Sequence, residues 1–415
     1  MKTIAVTGVL IGALLAPFTA AHADMVTDWN EIGTNTVLAA LPAERGSAGL
    51  DLSLVHIAMY DAINAIQPRY RSYLPQQPAT NARGASPEAA AATAAYAVLR
   101  YNFPSRTVAL DASYVASIAA IPNGSAKSLG VAVGNEIAQN VINWRMNDGR
   151  YAVVPYTFGS GPGVYQATPP GPPSPVNTAA PLLRPLALKE LGQFRAYGPP
   201  GLRSETYTED YNETQLMGSL TSTARSAAQT EIALFHTENP NLFWPRNLRN
   251  FTAGLGLNLL DHARLMTLLF VALGDAGNAC FDSKYTYNFW RPVTAIRAGD
   301  TDDNSKTVQD AAWFPLANTP PHPEYPAAHG CVSGAVAQVI EREYGERISF
   351  TFNSTVPNTI AHQFAGPDAL ISEIINARVY GGMHFRNSVQ QGVRLGRKVG
   401  AWVEDNYLQP LHSNH

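Results

Sequence analysis

The chain has 415 residues, of which 46% are hydrophobic and only 15% charged. That is enough apolar material for one large domain or two fused ones, with a charged share below the usual quarter. A formal net charge of −3 provides no global basic field for nucleic acid, so any anion site has to be local.

Residues 1–23 are expected to be a signal peptide. Lys2 supplies a short positive start, Ile4 to Phe18 an apolar stretch too short to span a bilayer comfortably, and Ala21-His22-Ala23 small residues for cleavage before Asp24. The protein is therefore expected to be secreted or periplasmic, without stable membrane insertion. Export permits a disulfide, but two cysteines, Cys280 and Cys331, make neither a disulfide framework nor a zinc spacing.

In chain order, Leu52, Val55, Met59, Ala62, Ile63 and Ile66 recur at three- and four-residue steps, which predicts a helix over residues 49–66, stopped by Pro68. Ser86-Pro87 opens a second, with Ser86 as N-cap and Pro87 in the first turn, running to Arg100. Two more are expected over 105–119 and 125–147. Residues 149–204 differ. Seven prolines among glycines, from Pro155 to Pro175, mark an irregular connection that could serve as lid, surface wrap or linker. Helical patterning resumes over 204–219, 224–238, 258–276, 283–297, 330–344, 368–380 and 388–406, and Ile348 to Phe352 is the one strand candidate. The fold class is all-α: a helical bundle, possibly doubled, with long Pro/Gly-rich loops. The expected regions are 24–148, the connection 149–204, and a C-terminal bundle over 205–415 that carries an oxyanion site.

Three segments carry chemistry. In the first, Lys284 and Arg291 flank Phe289 and Trp290; seven residues apart on one helix, they would project from one face roughly 10 Å apart. Two cations on a partly buried face need an anion to compensate them. The second, Pro320 to Cys331, is a proline-rich loop entering a helix, with His329 at the junction, where free backbone N–H groups and the helix dipole favour an anion. In the third, Arg378 and His384 are six apart and cannot share a helix face, and Gly381-Gly382 supplies the break. Three permanent cations, two histidines and a helix N-terminus suit a tetrahedral oxyanion such as phosphate or vanadate. A set of carboxylate ligands for a metal cation is missing from these segments.

Lys-x6-Arg-Pro, a Pro-x-x-His loop and Arg-x5-His together resemble the three-part motif of the superfamily of vanadium-dependent haloperoxidases and type 2 phosphatidic acid phosphatases. The stretch KYTYNFWRPVTAIR is similar to fungal vanadium chloroperoxidases, and GLDLSLVHIAMYDAINAI to secreted bacterial members. The resemblance implies a vanadate cofactor, held by Lys284, Arg291, Arg378 and the Ala328 N–H, with His384 bonded to vanadium and His329 as acid–base. It implies hydrogen peroxide and halide as substrates, with Lys284 polarising the bound peroxide. Position 322, phenylalanine in chloroperoxidases and histidine in algal bromoperoxidases, is His322 here, which points to bromide and iodide over chloride. Two departures stand out. Ala327 replaces a serine whose hydroxyl would donate to the oxyanion, a loss worth roughly 1.5–3 kcal/mol. Ser388 stands where the family often has an aspartate, so the partner orienting His384 is open. An acid phosphatase working through a phosphohistidine at His384 is the alternative, followed by a non-catalytic phosphate binder. The sequence leaves monomer and homo-oligomer equally open.

Overall fold

Apolar side chains at helical spacing dominate the chain. The computed structural model, which describes residues 24–40, 44, 48–168 and 175–411, is correspondingly all-α apart from one antiparallel pair of short strands. The expected signal peptide lies outside the described residues, as do four prolines of the connection, Pro169, Pro170, Pro172 and Pro173. Five helices come first: α1 (Met25–Ala39), α2 (Ala48–Ile66), α3 (Pro87–Asn102), α4 (Thr107–Ala119) and α5 (Ser125–Arg145). Ser86 caps α3 as its sequence predicts, accepting the Ala89 N–H at 3.2 Å. The unexpected α1 starts where the leader was taken to end, and Asp24 caps it by accepting from Val26 and Thr27.

Eight helices follow the connection: α6 (Glu205–Gly218), α7 (Ala227–Phe235), α8 (Pro240–Ala253), α9 (Leu259–Tyr287), α10 (Pro292–Arg297), α11 (Ala328–Tyr344), α12 (Pro367–Tyr380) and α13 (Arg386–Asn406). The strands Phe350–Phe352 and His362–Phe364 pair between α11 and α12; only the first was expected. α9 is the axis of the molecule. It packs against α2 on one side and against α11 and α13 on the other, so the two helix groups share one apolar core. By length and composition α9 could cross a membrane, but 89% of its most apolar window is buried inside the protein, as a core helix requires.

The helix expected over 283–297 is broken. α9 runs on past residue 276 to Tyr287, where Asn288 turns left-handed (φ 49°) and its N–H closes onto the Lys284 carbonyl. Arg291 is the N-cap of α10, with Pro292 in that helix's first turn. Lys284 and Arg291 therefore do not share a helix face; a turn brings them to the site separately.

The connection wraps the surface. Asp275, buried on α9, accepts the Leu186, Ala187 and Leu188 amides at 2.7, 2.7 and 2.8 Å, which pins the connection to the core. Upstream, Tyr165 N–H donates to the Asn288 carbonyl at 2.8 Å and Trp290 N–H to the Gly163 carbonyl at 3.1 Å. The wrap thus braces the segment that ends in Arg291.

α11 and α13 lie in close contact because glycines face the partner backbone. A Cβ on Gly396 would meet Ala335 N at 2.8 Å and the Cys331 carbonyl more closely still, whereas one on Gly201 would meet nothing within 4 Å. Backbone cannot yield as a flexible side chain does, so Gly396→Ala is expected to cost at least the 1–3 kcal/mol of ordinary overpacking. Gly201→Ala should be close to neutral. Urea unfolding midpoints compare the two, and equal effects would contradict the close crossing.

Candidate active site

Four chain segments converge at the end of α9. Lys284 comes from its last turn, Arg291 from the start of α10, Arg378 from the last turn of α12, and His384 from the turn before α13. All four side chains are buried, at 0–1% exposure. The proline-rich loop closes over them. Lys284 Nζ donates to the Pro323 and Glu324 carbonyls at 2.8 and 2.9 Å. Arg291 donates through Nε to the His322 carbonyl (2.8 Å) and through Nη1 to the Met383 carbonyl (2.9 Å).

Arg291 can only donate, and this decides the tautomer of His384. Its Nη1 lies 3.0 Å from His384 Nε2, so Nε2 presents a lone pair. The proton is then on Nδ1, which donates to Glu324 Oε1 at 2.8 Å; the Phe385 N–H donates to the same oxygen at 3.1 Å. Glu324 is thus the partner that orients His384. Ser388 instead accepts the Ala327 N–H through its backbone carbonyl. Glu324 escaped sequence reading because it is one acid among prolines; its signal was that a carboxylate flanked by Pro323 and Pro326 has little freedom to reach solvent.

Charge balance is incomplete. Arg378 Nη1 donates to the His236 carbonyl and Nη2 to the Met383 sulfur, each at 3.0 Å, while Nε is buried without a partner. A thioether is a poor acceptor for a guanidinium. Three cations face one carboxylate, Glu324. Burial pushes the Lys284 ammonium down to about 8, and the Arg291 and Arg378 guanidiniums down to about 10 and about 9. Burial also raises the Glu324 carboxyl to about 7, although Lys284 and Arg291 pull the other way. Burial, then the cations, hold His384 well below the usual imidazole range, so its ring is neutral.

α11 begins at Ala328 with no side chain capping it, which leaves the amides of its first turn without partners inside the helix. Ala327 itself is fully buried in the apolar core. His329, in the first turn, is partly buried, and its ring has no hydrogen-bond partner among the described residues. With His236, Glu238 and Trp244 it lines a cavity that holds about one water. A larger cavity of about 420 Å³ lies among α2, α3 and α5, remote from these residues. His322 is buried against the edge of Phe281, its ring centroid 5.0 Å away, and its Nδ1 lies 2.9 Å from Arg291 Nη2. Burial first, then Lys284 and Arg291, keep it neutral. Cys280 and Cys331 are buried and free, and the Cys280 thiol donates to the Pro326 carbonyl at 3.4 Å.

Residues 264–413 match the family described as the second helical-bundle domain of vanadium chloroperoxidase. This part of the chain is similar to that helical-bundle domain. The vanadium chloroperoxidase of Curvularia inaequalis is 32% identical over 212 residues, a match covering 43% of this chain and 33% of that protein. This chain thus spans about a third of the relative's length. A bacterial vanadium-dependent iodoperoxidase superposes with a TM-score of 0.76 at 24% identity, covering 94% of this chain and 97% of that one. A holo-type bacterial vanadium-dependent chloroperoxidase superposes with 0.71 at 16% identity, covering 94% and 98%. These two likenesses establish a shared fold across nearly the whole chain.

The residues of this bundle fit an oxyanion such as vanadate. The unpartnered Arg378 Nε–H and the uncapped α11 offer donors to the oxygens of a tetrahedral anion, and the His384 Nε2 lone pair, which here accepts from Arg291, is what its central atom would take. Because Arg378 has no carboxylate partner, Arg378→Met should change the stability of the anion-free protein by less than about 1 kcal/mol, against the 3–5 usual when a buried ion pair is broken. Vanadate at a hundredfold excess over its Kd should stabilise the wild type by about 2.7 kcal/mol and the variant far less. Thermal melts with and without vanadate check both, and equal gains in the two proteins would contradict the assignment.

Proposed function

We propose that the protein is an exported, vanadate-dependent haloperoxidase that oxidises bromide and iodide, in preference to chloride, with hydrogen peroxide to hypohalous acid. The observation that carries this reading is the His384 Nε2 lone pair, fixed by Glu324 at the meeting point of three buried cations. The names of the similar proteins and the apolar leader sequence support it.

Vanadate, when bound, supplies an electrophilic centre that activates peroxide toward halide with no change of oxidation state. Lys284, Arg291 and Arg378 would hold its oxygens together with the Ala328 N–H, and His384 Nε2 would bond to vanadium. The buried Lys284 ammonium polarises the reacting oxygen, where low dielectric makes one charge count for more than in water. His329 moves the proton. The reaction balances as H2O2 + X⁻ + H⁺ → HOX + H2O, so one proton is consumed per turnover.

The halide preference rests on two features. His322 places a neutral polar ring at the end of Arg291, and Ala327 lacks a hydroxyl that would help organise the anion. Chloride is the harder halide to oxidise and loses most from both.

One preparation decides the reading: bromination with peroxide and vanadate, beside hydrolysis of an aryl phosphate without vanadate. Vanadate-dependent bromination that exceeds chlorination is expected, with His322→Phe raising the chloride-to-bromide ratio. Phosphatase activity without bromination would replace the reading with the phosphohistidine alternative. Chloride turnover rivalling bromide would overturn the preference alone.

A further inference from the structure

His236 lies in the turn after α7 and lines the same small cavity as His329. Its Nε2 is 2.8 Å from Glu373 Oε1 on α12. That oxygen also takes His362 Nδ1 from the second strand at 2.7 Å, and His362 Nε2 lies 2.9 Å from Glu231 on α7. The side chain of His236 is 2% exposed and that of Glu373 19%, so the imidazole is interior and its carboxylate reaches the surface. None of these groups belongs to the three motif segments except through Arg378, which donates to the His236 backbone carbonyl and not to its ring.

A carboxylate-backed imidazole and an unbacked imidazole on one cavity are not equivalent. His329 has no acidic partner, and burial, followed by the charges of Arg378, His236, Lys284 and Arg291, strips its proton. Burial lowers His236 too, but Glu373 opposes it by hydrogen bond and by charge, ahead of the smaller lowering by Arg378 and His362. Glu238, the remaining ionisable group on this cavity, is committed to Arg246 and Thr355. Neighbouring groups whose environments push their proton affinities apart divide into a proton store and a proton deliverer. With Nε2 occupied by Glu373, Nδ1 is the ring nitrogen of His236 left free to exchange.

We propose that the His236–Glu373 pair is the proton reservoir of the site: His236 holds a proton at Nδ1 and passes it across the cavity to His329. This rests on the haloperoxidase reading. His329 gives its proton to the oxygen that leaves as water, and a new N–H bond at His329 forms as the His236 Nδ1–H bond breaks. His236 returns to the neutral ring with its proton on Nε2, facing ionised Glu373. His236 is thus a positioning residue acting through His329, and His362 and Glu231 hold Glu373 in line.

The test has two parts. In vanadate-free wild-type protein, ¹⁵N NMR of the imidazoles should find His236 protonated at Nε2 when neutral, with Glu373→Gln giving mixed tautomers. A neutral His236 protonated at Nδ1 alone would overturn the proposal without any variant. In the loaded enzyme, His236→Gln should lower bromination at least about tenfold, leave vanadate affinity within about twofold, and regain rate with added imidazole buffer, which wild type ignores. Unchanged turnover, or a loss that buffer does not rescue, would refute the reservoir while wild-type activity upholds the parent reading. A vanadate-loaded wild type that brominates nothing removes both.

Discussion

Buried positive charge without enough negative charge to match it is the constraint on which the site depends. Lys284, Arg291 and Arg378 are at most 1% exposed, yet their hydrogen-bond partners are carbonyl oxygens, imidazole nitrogens and a thioether, while the nearby Glu324 carboxylate bonds to His384. Such a cluster costs the fold free energy unless something compensates it. Glu324 does so in part, and does two things with one carboxylate: it offsets charge and it holds the proton of His384 on Nδ1. The remaining positive charge has no acidic partner among the described residues.

Keeping such a cluster in place requires rigid surroundings. α9 supplies them by running through the middle of the shared core and delivering Lys284 at its end. The glycine-mediated contact of α11 with α13 brings the uncapped N-terminus of one helix near the turn that precedes the other. The connection adds a brace from outside, since its Gly163 and Tyr165 bond to the backbone of the segment carrying Arg291. The N-terminal helices thus contribute to the chemistry indirectly, by gripping α9 through α2 and the connection through Arg145, which donates to the Pro185 and Arg184 carbonyls.

The helices of strong apolar period were legible in the sequence, as was the break at Gly381-Gly382, because periodicity and glycine act locally. α8 was not: Pro240 and Pro245 look like breakers, although one sits in the first turn and the other inside the helix. The split between α9 and α10 was hidden too, since only tertiary packing tells whether Asn288 turns left-handed. The motif residues were readable as types at fixed spacing. Glu324 and the His236–Glu373 pair were not, because nothing in a spacing says which distant carboxylate will meet a given imidazole.

A crystal structure of the protein grown with vanadate tests the central claim most directly. The account predicts one anion per chain, bonded at His384 Nε2 while Nδ1 stays on Glu324, and receiving the Arg378 Nε–H that now has no partner. An anion bound elsewhere, or a cluster that stays closed on its carbonyls and on Met383 at saturating vanadate, would contradict it.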